Sequence, residues 1–383
     1  MNDKIRAPII WFGMFMALML FQTSYMRLGT ITAFGTLAMT IFTSFIGKYT
    51  SLTEFYFPME SRCMLLFFLL SSIITMFSDF IPSYFSRYTA QILLFLVLAT
   101  LTLNNKEIEF LRVLFVISAV VYAAMTIYSC IQVGSARYIH SSILLFNTKI
   151  DPNFIGIPFV VASCLILDNI LSRKRKILNL VLYAVIVIAI VYTASRSNFM
   201  CLVVSNILIL FNFVHKRNIK LAFRILWVVL FLVIVIYGIR FISIEYSDQW
   251  ARMSEFAEGD DNGRYVLWER AFSVFYGSPL LGNGLGHMVS TYGKATHNTY
   301  LQLLCETGLI GSILFISAIL VIIKKLRSYD KVYLILFLCM LLQVAFLDAL
   351  DNRCFWIVIC WMNLLPNLKE GSDNVCDKEN YIQ

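Results

Sequence analysis

The chain is a succession of apolar runs separated by short links that carry much of its charge. A helix rises ~1.5 Å per residue, so a run of ~20 apolar residues spans the hydrocarbon core of a bilayer. The composition agrees: 59% of the 383 residues are hydrophobic and 14% are charged, and the mean hydropathy is +0.77. A soluble domain of this length has no use for so much apolar surface. The pattern predicts an all-α integral membrane protein of about twelve spans. They fall near 7–26, 29–47, 62–80, 84–103, 110–131, 153–171, 177–195, 198–214, 222–241, 297–322, 331–350 and 353–366.

The formal net charge is +8, but the cations lie in short links, which argues against a nucleic-acid partner. They gather at Arg173–Lys176, at Lys216, Arg217 and Lys220, and at Lys324, Lys325 and Arg327. The positive-inside rule places such links in the cytoplasm, with both termini on the same side. Residues 134–152, 195–197, 242–296 and 351–353 then share the far face. The chain reads as one membrane domain, 1–383, with a large extracytoplasmic loop, 242–296, before the tenth span. Lys4 and Arg6 precede the apolar run Ile9–Phe21 with no small-residue cleavage site behind it, so an uncleaved first span is expected. The nine cysteines include no CxxC and no zinc-ligand spacing. They read as small apolar side chains, and no metal or cofactor is expected.

One stretch breaks the apolar pattern. Residues 262–311 open with a polar, Gly-rich segment whose backbone would go unsatisfied in lipid, so it is expected outside the membrane. It contains Arg264, Arg270, Lys294, His287 and His297. Ionisable groups gathered where a membrane protein breaks its own pattern mark a candidate working site. Within it, 264–276 predicts a short amphipathic helix with Leu267, Trp268, Ala271 and Phe275 on one face. Asn262 caps its start, and Gly277 with Pro279 ends it. Such a helix is expected in the membrane interface with Trp268 toward the headgroups. Arg264 falls in its first turn, where helix polarity and a guanidinium fork both favour a phosphate. The competing reading is an exposed arginine near Glu258, Asp260 and Asp261.

Gly282-Asn283-Gly284-Leu285-Gly286 does not fit a dinucleotide-binding pattern, because no strand precedes it. The glycines permit tight turns and close backbone approach, or simply a flexible loop. His297 opens the tenth span at its outer end. A histidine there can take a proton from an attacking hydroxyl, or merely cap the helix. Glu306 is nine residues further on, nearly opposite on a helix, so a direct His–Glu pair is not expected. Gly308 and Ser312 have the spacing of a close helix–helix contact. Arg196 ends the seventh span on the outer side, either snorkelling to headgroups or serving as a second phosphate-binding cation. Asp151-Pro152-Asn153 reads as a helix cap. Asp348 and Asp351 flank the eleventh link beside Arg353, where a salt bridge is expected.

Four pieces together carry a resemblance: SRS at 195–197, GRYVLW at 263–268, SPLLGNGLG at 278–286 and HNTYLQLLCETGLIGS at 297–312. The last two, in this order just ahead of a span, are the most specific. The chain resembles the O-antigen polymerase and O-antigen ligase family of bacterial membrane glycosyltransferases over residues 195–312. The resemblance implies about a dozen helices, a large extracytoplasmic loop, and metal-independent, inverting transfer of glycan from undecaprenyl diphosphate to a hydroxyl. It implies that Arg196 and Arg264 bind the diphosphate and that His297 activates the acceptor, and gives no role to Arg270, Glu306 or Arg353.

The expectation is an O-antigen or capsule repeat-unit polymerase in the bacterial inner membrane, its site facing the periplasm. Its partners would be donor and acceptor lipid-linked oligosaccharides, membrane lipids and a chain-length regulator protein. The first alternative is a ligase that transfers glycan to lipid A-core. A lipid-linked glycan flippase is the alternative from another class, but the halves share no similarity and no broken midplane helices. A metal-dependent membrane glycosyltransferase would need an acidic motif in the first outer loop, and Met26–Gly29 holds no carboxylate.

Overall fold

The structure, a computed structural model, describes residues 5–20, 35–42, 58–78, 81–133, 143–145, 148–172, 175–216 and 264–365. The predicted ninth span, Asn262 and the acidic residues before it lie outside these, and the second span lies only partly within them.

Among the described residues the protein is built of helices with one small hairpin. The labelled helices are α1 (Ala7–Leu20), α2 (Met59–Met76), α3 (Pro82–Leu98), α4 (Asn105–Val133), α5 (Pro152–Leu171), α6 (Lys176–Tyr192), α7 (Arg196–Lys216), α8 (Arg264–Gly277), α9 (His287–Tyr292), α10 (Thr299–Tyr329), α11 (Lys331–Gln343) and α12 (Arg353–Leu364). The hairpin pairs β1 (Ile143–Leu145) with β2 (Thr148–Ile150), antiparallel, with Ile143 opposite Ile150.

Among the described residues, five helices (α2, α4, α5, α7 and α10) are long and apolar enough to cross a membrane, and five shorter apolar helices accompany them. Their outward faces have the chemistry that lipid requires. Leu66, Leu69 and Ile73 on α2, Val113, Ile117 and Val121 on α4, and Ile313, Ile316 and Leu320 on α10 are all exposed. Each set recurs every three or four residues, one stripe of a helix. Exposed apolar stripes on so many helices are what a multi-pass membrane protein presents to its solvent.

Caps set the boundaries. Asp151 accepts from the Asn153 N–H at 2.8 Å ahead of Pro152, as its sequence predicts. Asn298 accepts from Tyr300 N–H and Leu301 N–H at 3.0 and 3.2 Å and starts α10. Asp330 accepts from Val332 N–H at 2.6 Å and separates α10 from α11. Arg196 does not end the seventh span: it is the first residue of α7.

Residues Cys354–Leu364 of α12 are all buried. This explains why the last apolar run is so short, because a helix enclosed by its neighbours need not match the bilayer. Trp356 packs edge-on against Tyr88 and Phe315, with ring centroids 6.3 and 6.1 Å apart, and Trp361 stacks on Phe115 at 5.1 Å. Aromatic pairs in these geometries add to the packing beyond area alone.

Polar contacts sort the helix ends into two groups. One group joins Arg6 to Glu107 at 2.6 Å, Arg112 to Asp168 at 2.9 Å, and Lys325 to Glu60. The other joins Arg87 to Asp351, Leu285 to Thr75, Asn198 to Pro152 and Gln343, and His297 to Asp348. No contact among these crosses from one group to the other, which is the pattern expected of helices that alternate in direction.

Candidate functional site

The site is assembled where the stretch before α10 meets the link before α12. Thr299 Oγ1 donates to the Leu347 carbonyl at 2.6 Å and accepts from Ala349 N–H at 2.9 Å. Thr296 Oγ1 donates to Asp348 Oδ1 at 2.6 Å. The His297 backbone N–H donates to Asp348 Oδ2 at 2.7 Å, and its ring Nδ1 lies 3.3 Å from the same oxygen. One carboxylate thus holds both the backbone and the ring of His297. His297 takes φ 53°, left-handed backbone that costs a non-glycine residue about 1–3 kcal/mol. The Asp348 clamp offsets that cost.

Of the two carboxylates expected beside Arg353, Asp348 is thus paired with His297. Asp351 is likewise taken by Arg87, at 2.6 Å. Burial pushes the Asp348 carboxyl above its ordinary range, opposed first by His297 and then by the Thr296 hydroxyl. Nδ1 is the ring nitrogen that faces Asp348; a proton held there leaves the lone pair of the ring on Nε2. The His297 side chain is 39% exposed and that of Asp348 only 7%. An accessible ring oriented by a buried carboxylate is the arrangement of a general base and its positioning partner.

Helix α8 matches its predicted bounds closely. Leu267 and Ala271 are buried, and Ala271 packs with Met288, Cys305 and Leu301. The Trp268 indole N–H donates to the Thr296 carbonyl at 3.1 Å. Leu267 and Ala271 of α8 thus face α9 and α10, while Tyr265, Val266, Phe272 and Tyr276 are exposed. Trp268 also ties α8 to the residue preceding His297, and Arg264 lies one helical turn before Trp268. Arg270 stacks over Tyr292 at 5.5 Å, a cation–π contact.

The Gly-rich segment 278–286 fills a break in α10. Gly308 has φ 63° and ψ −171°, so the helix ladder stops there. In an unbroken helix Leu309 and Ile310 would donate to Cys305 and Glu306. Instead they donate to the Pro279 and Leu280 carbonyls at 2.9 and 3.1 Å. The carbonyls left over are taken by Asn283 N–H at 3.2 Å and Gly284 N–H at 2.9 Å. Every backbone group displaced by the break finds a replacement in the loop. Gly308, expected to pack against a helix, meets the backbone of Leu280 and Gly282, and Ser312 Oγ donates to the Gly308 carbonyl at 2.6 Å. Gly282, Gly284 and Gly286 have φ of 79°, 93° and 80°, so tight turns account for all three, and Gly282 also meets the backbone of α10 closely. Glu306 is buried, with its Oε2 3.5 Å from Gln302 Nε2, and it is not part of the histidine pair.

Arg196 is reached through a separate set of bonds. Ala194 has φ 48°, and Ser195 Oγ donates to Asn153 Oδ1 at 2.6 Å. Two residues after Arg196, Asn198 donates to the Pro152 carbonyl at 3.1 Å and accepts from Gln343 Nε2 at 2.7 Å. Gln343 ends α11, and the chain then runs through Val344–Phe346 to Leu347 and Asp348. The start of α7, bearing Arg196, and the start of α8, bearing Arg264, are therefore each bonded to the segments that carry the His297–Asp348 pair. Asp348 is the member that sequence reasoning missed as a site residue. The available signal was its place in an outer link on the same predicted face as His297.

A search of curated proteins gave no match. Residues 178–316 match a family model described as O-antigen ligase, a segment that contains Arg196, Arg264 and His297 and stops short of Asp348. Over this segment, which is about a third of the chain, the protein is similar to the O-antigen ligase family.

Proposed function

We propose that the protein is a polysaccharide polymerase of the bacterial inner membrane, working on its periplasmic face. It transfers a glycan from undecaprenyl diphosphate to a hydroxyl of a second lipid-linked repeat unit, without a metal and with inversion. The observation that carries the reading is the half-exposed His297 ring, whose Nδ1 lies 3.3 Å from the buried Asp348 carboxylate.

His297 Nε2 takes the proton of the acceptor hydroxyl as its oxygen attacks the anomeric carbon. The new glycosidic C–O bond forms as the bond to the diphosphate breaks on the opposite side. The diphosphate is a weak base and leaves without a general acid. Arg196 and Arg264 hold it and take up its growing negative charge, where donors aimed at developing charge contribute most. Arginine suits that task because its planar fork grips phosphate oxygens in pairs. His297 then gives its proton to water or to the departing phosphate.

The ligase reading has the same chemistry, and the description of the matching family model favours it. Deleting the gene and running the surface glycan on a gel separates the two. Loss of the ladder with a single capped unit retained means a polymerase. Loss of all capping, with lipid-linked polymer left over, means a ligase. An unchanged gel removes both.

A further inference from the structure

Asp348 is held by the same stretch that carries His297. Thr299 Oγ1 bonds to the Leu347 carbonyl and to the Ala349 N–H, so the backbone on each side of Asp348 is set by the start of α10. What remains free is rotation of the carboxylate itself. Its Oδ2 faces His297, with the backbone N–H at 2.7 Å and ring Nδ1 at 3.3 Å. Its Oδ1 takes the Thr296 hydroxyl at 2.6 Å. The Asn298 carbonyl lies 2.8 Å from the same Thr296 Oγ1. A hydroxyl has one proton to give, and the nearer, charged acceptor holds it more strongly. Thr296 is fully buried, and its own carbonyl accepts the Trp268 indole N–H at 3.1 Å. Trp268 thus fixes the main chain of the residue whose side chain fixes Asp348.

With His297 read as the base of a glycosyl transfer, we propose that Thr296 is a positioning residue for the proton transfer. Its hydroxyl stops the Asp348 carboxylate from turning, and so keeps the His297 ring proton on Nδ1 and the lone pair on Nε2. A carboxylate bonded through Oδ2 alone can pivot about that bond and present its other face to the ring. Bonded at both oxygens, it offers Oδ2 to the ring in one direction only. The two grips come from consecutive residues, with left-handed backbone at the second of them, His297 at φ 53°. A base held in one tautomer and one orientation has its lone pair placed before the acceptor arrives, and placement of reacting groups is a large part of rate.

Thr296→Val keeps the shape and removes the hydroxyl, whereas Thr296→Ser keeps the hydroxyl and removes a methyl. Purified protein in nanodiscs, with isotope-labelled histidine read by nitrogen NMR, reports the His297 tautomer directly; the His297 signals are those lost in His297→Gln. The parent and Thr296→Ser should show one tautomer, protonated on Nδ1, and Thr296→Val a mixture of two. Single-turnover transfer from the lipid-linked donor should fall about 10- to 100-fold in Thr296→Val with donor binding kept, and Thr296→Ser should recover most of it. Added to Asp348→Ala, Thr296→Val should lose little more, because the hydroxyl acts through that carboxylate; a hydroxyl that only stabilises the fold would cost the same factor in both backgrounds. If Thr296→Val does not insert, Thr296→Ser against Thr296→Ala isolates the hydroxyl in the same way. A parent ring protonated on Nε2, a single tautomer that survives loss of the hydroxyl, or equal transfer with and without it overturns the role of Thr296. A parent protein that transfers no glycan defeats the glycosyl-transfer reading, while the tautomer still decides whether Thr296 orients the ring.

Discussion

Gly282 and Gly308 meet backbone to backbone. A Cβ on Gly282 would lie 2.5 Å from Gly308 N, and a Cβ on Gly308 would lie 2.6 Å from Gly282 N. Real side chains do not tolerate such distances, and the neighbours are main chain that cannot rotate aside. This crossing lets the loop after α8 repair the broken ladder of α10, and so fixes Arg264 relative to His297.

Alanine at Gly308 should therefore destabilise the protein by more than the ~1–3 kcal/mol of backbone strain alone. Gly293 supplies the control. It has φ 68°, and a Cβ added there would meet nothing within 4 Å, so Gly293→Ala should cost only about 1–2 kcal/mol. Thermal unfolding in detergent compares the two. Equal shifts would mean that the crossing is not tight.

Asp348→Asn tests the positioning partner. The neutral amide no longer fixes which ring nitrogen carries the proton, although it is nearly the same size. The turnover rate is expected to fall, by up to the ~10²–10⁴-fold that a general base supplies, with the KM for donor nearly unchanged. A change confined to KM would place Asp348 in substrate binding.

The arginines answer to charge and shape separately. Arg196→Lys and Arg264→Lys keep the charge and lose the fork, so each should lose substantial activity while inserting normally. Arg→Glu at either position should abolish activity, since loss of even one donor to developing charge costs about 10²–10³-fold. Near-normal glycan from both Glu variants removes these arginines from the reaction.

Topology is checked with single cysteines in a background lacking the native ones. Lys325, which pairs with Glu60, is expected to be cytoplasmic. Lys294, exposed in the loop before α10, is expected outside. A membrane-impermeant thiol reagent applied to intact cells should label position 294 and not 325. The reverse pattern would place the site in the cytoplasm.

Much of the fold was legible because apolar runs and caps are local signals. The 264–276 helix followed from the spacing of Leu267, Trp268 and Ala271 and from its Gly and Pro stop. Asp151 announced its cap. What the sequence hid depends on partners distant in the chain. Asp348 lies 51 residues from His297, while Arg353 lies nearby and attracts the default pairing. Gly308 and Ser312 have the spacing of a helix contact, and only the incoming backbone of 279–284 reveals a break. Trp268 also donates its indole N–H to the Thr296 carbonyl, 28 residues on. Arg196, Arg264 and His297 were legible as candidates because each is an ionisable residue where the apolar pattern of the spans is interrupted.

The central claim is that His297 takes the acceptor's proton. His297→Gln tests it most directly, measured as single-turnover transfer with lipid-linked donor on purified protein, alongside donor binding. Glutamine is near in size and can hydrogen-bond, but it cannot act as a base at neutral pH. The account predicts that transfer falls about 10²–10⁴-fold, nearly as far as in His297→Ala, while donor binding persists. Transfer by the Gln variant at close to the parent rate would contradict the account and leave the arginines as the source of catalysis.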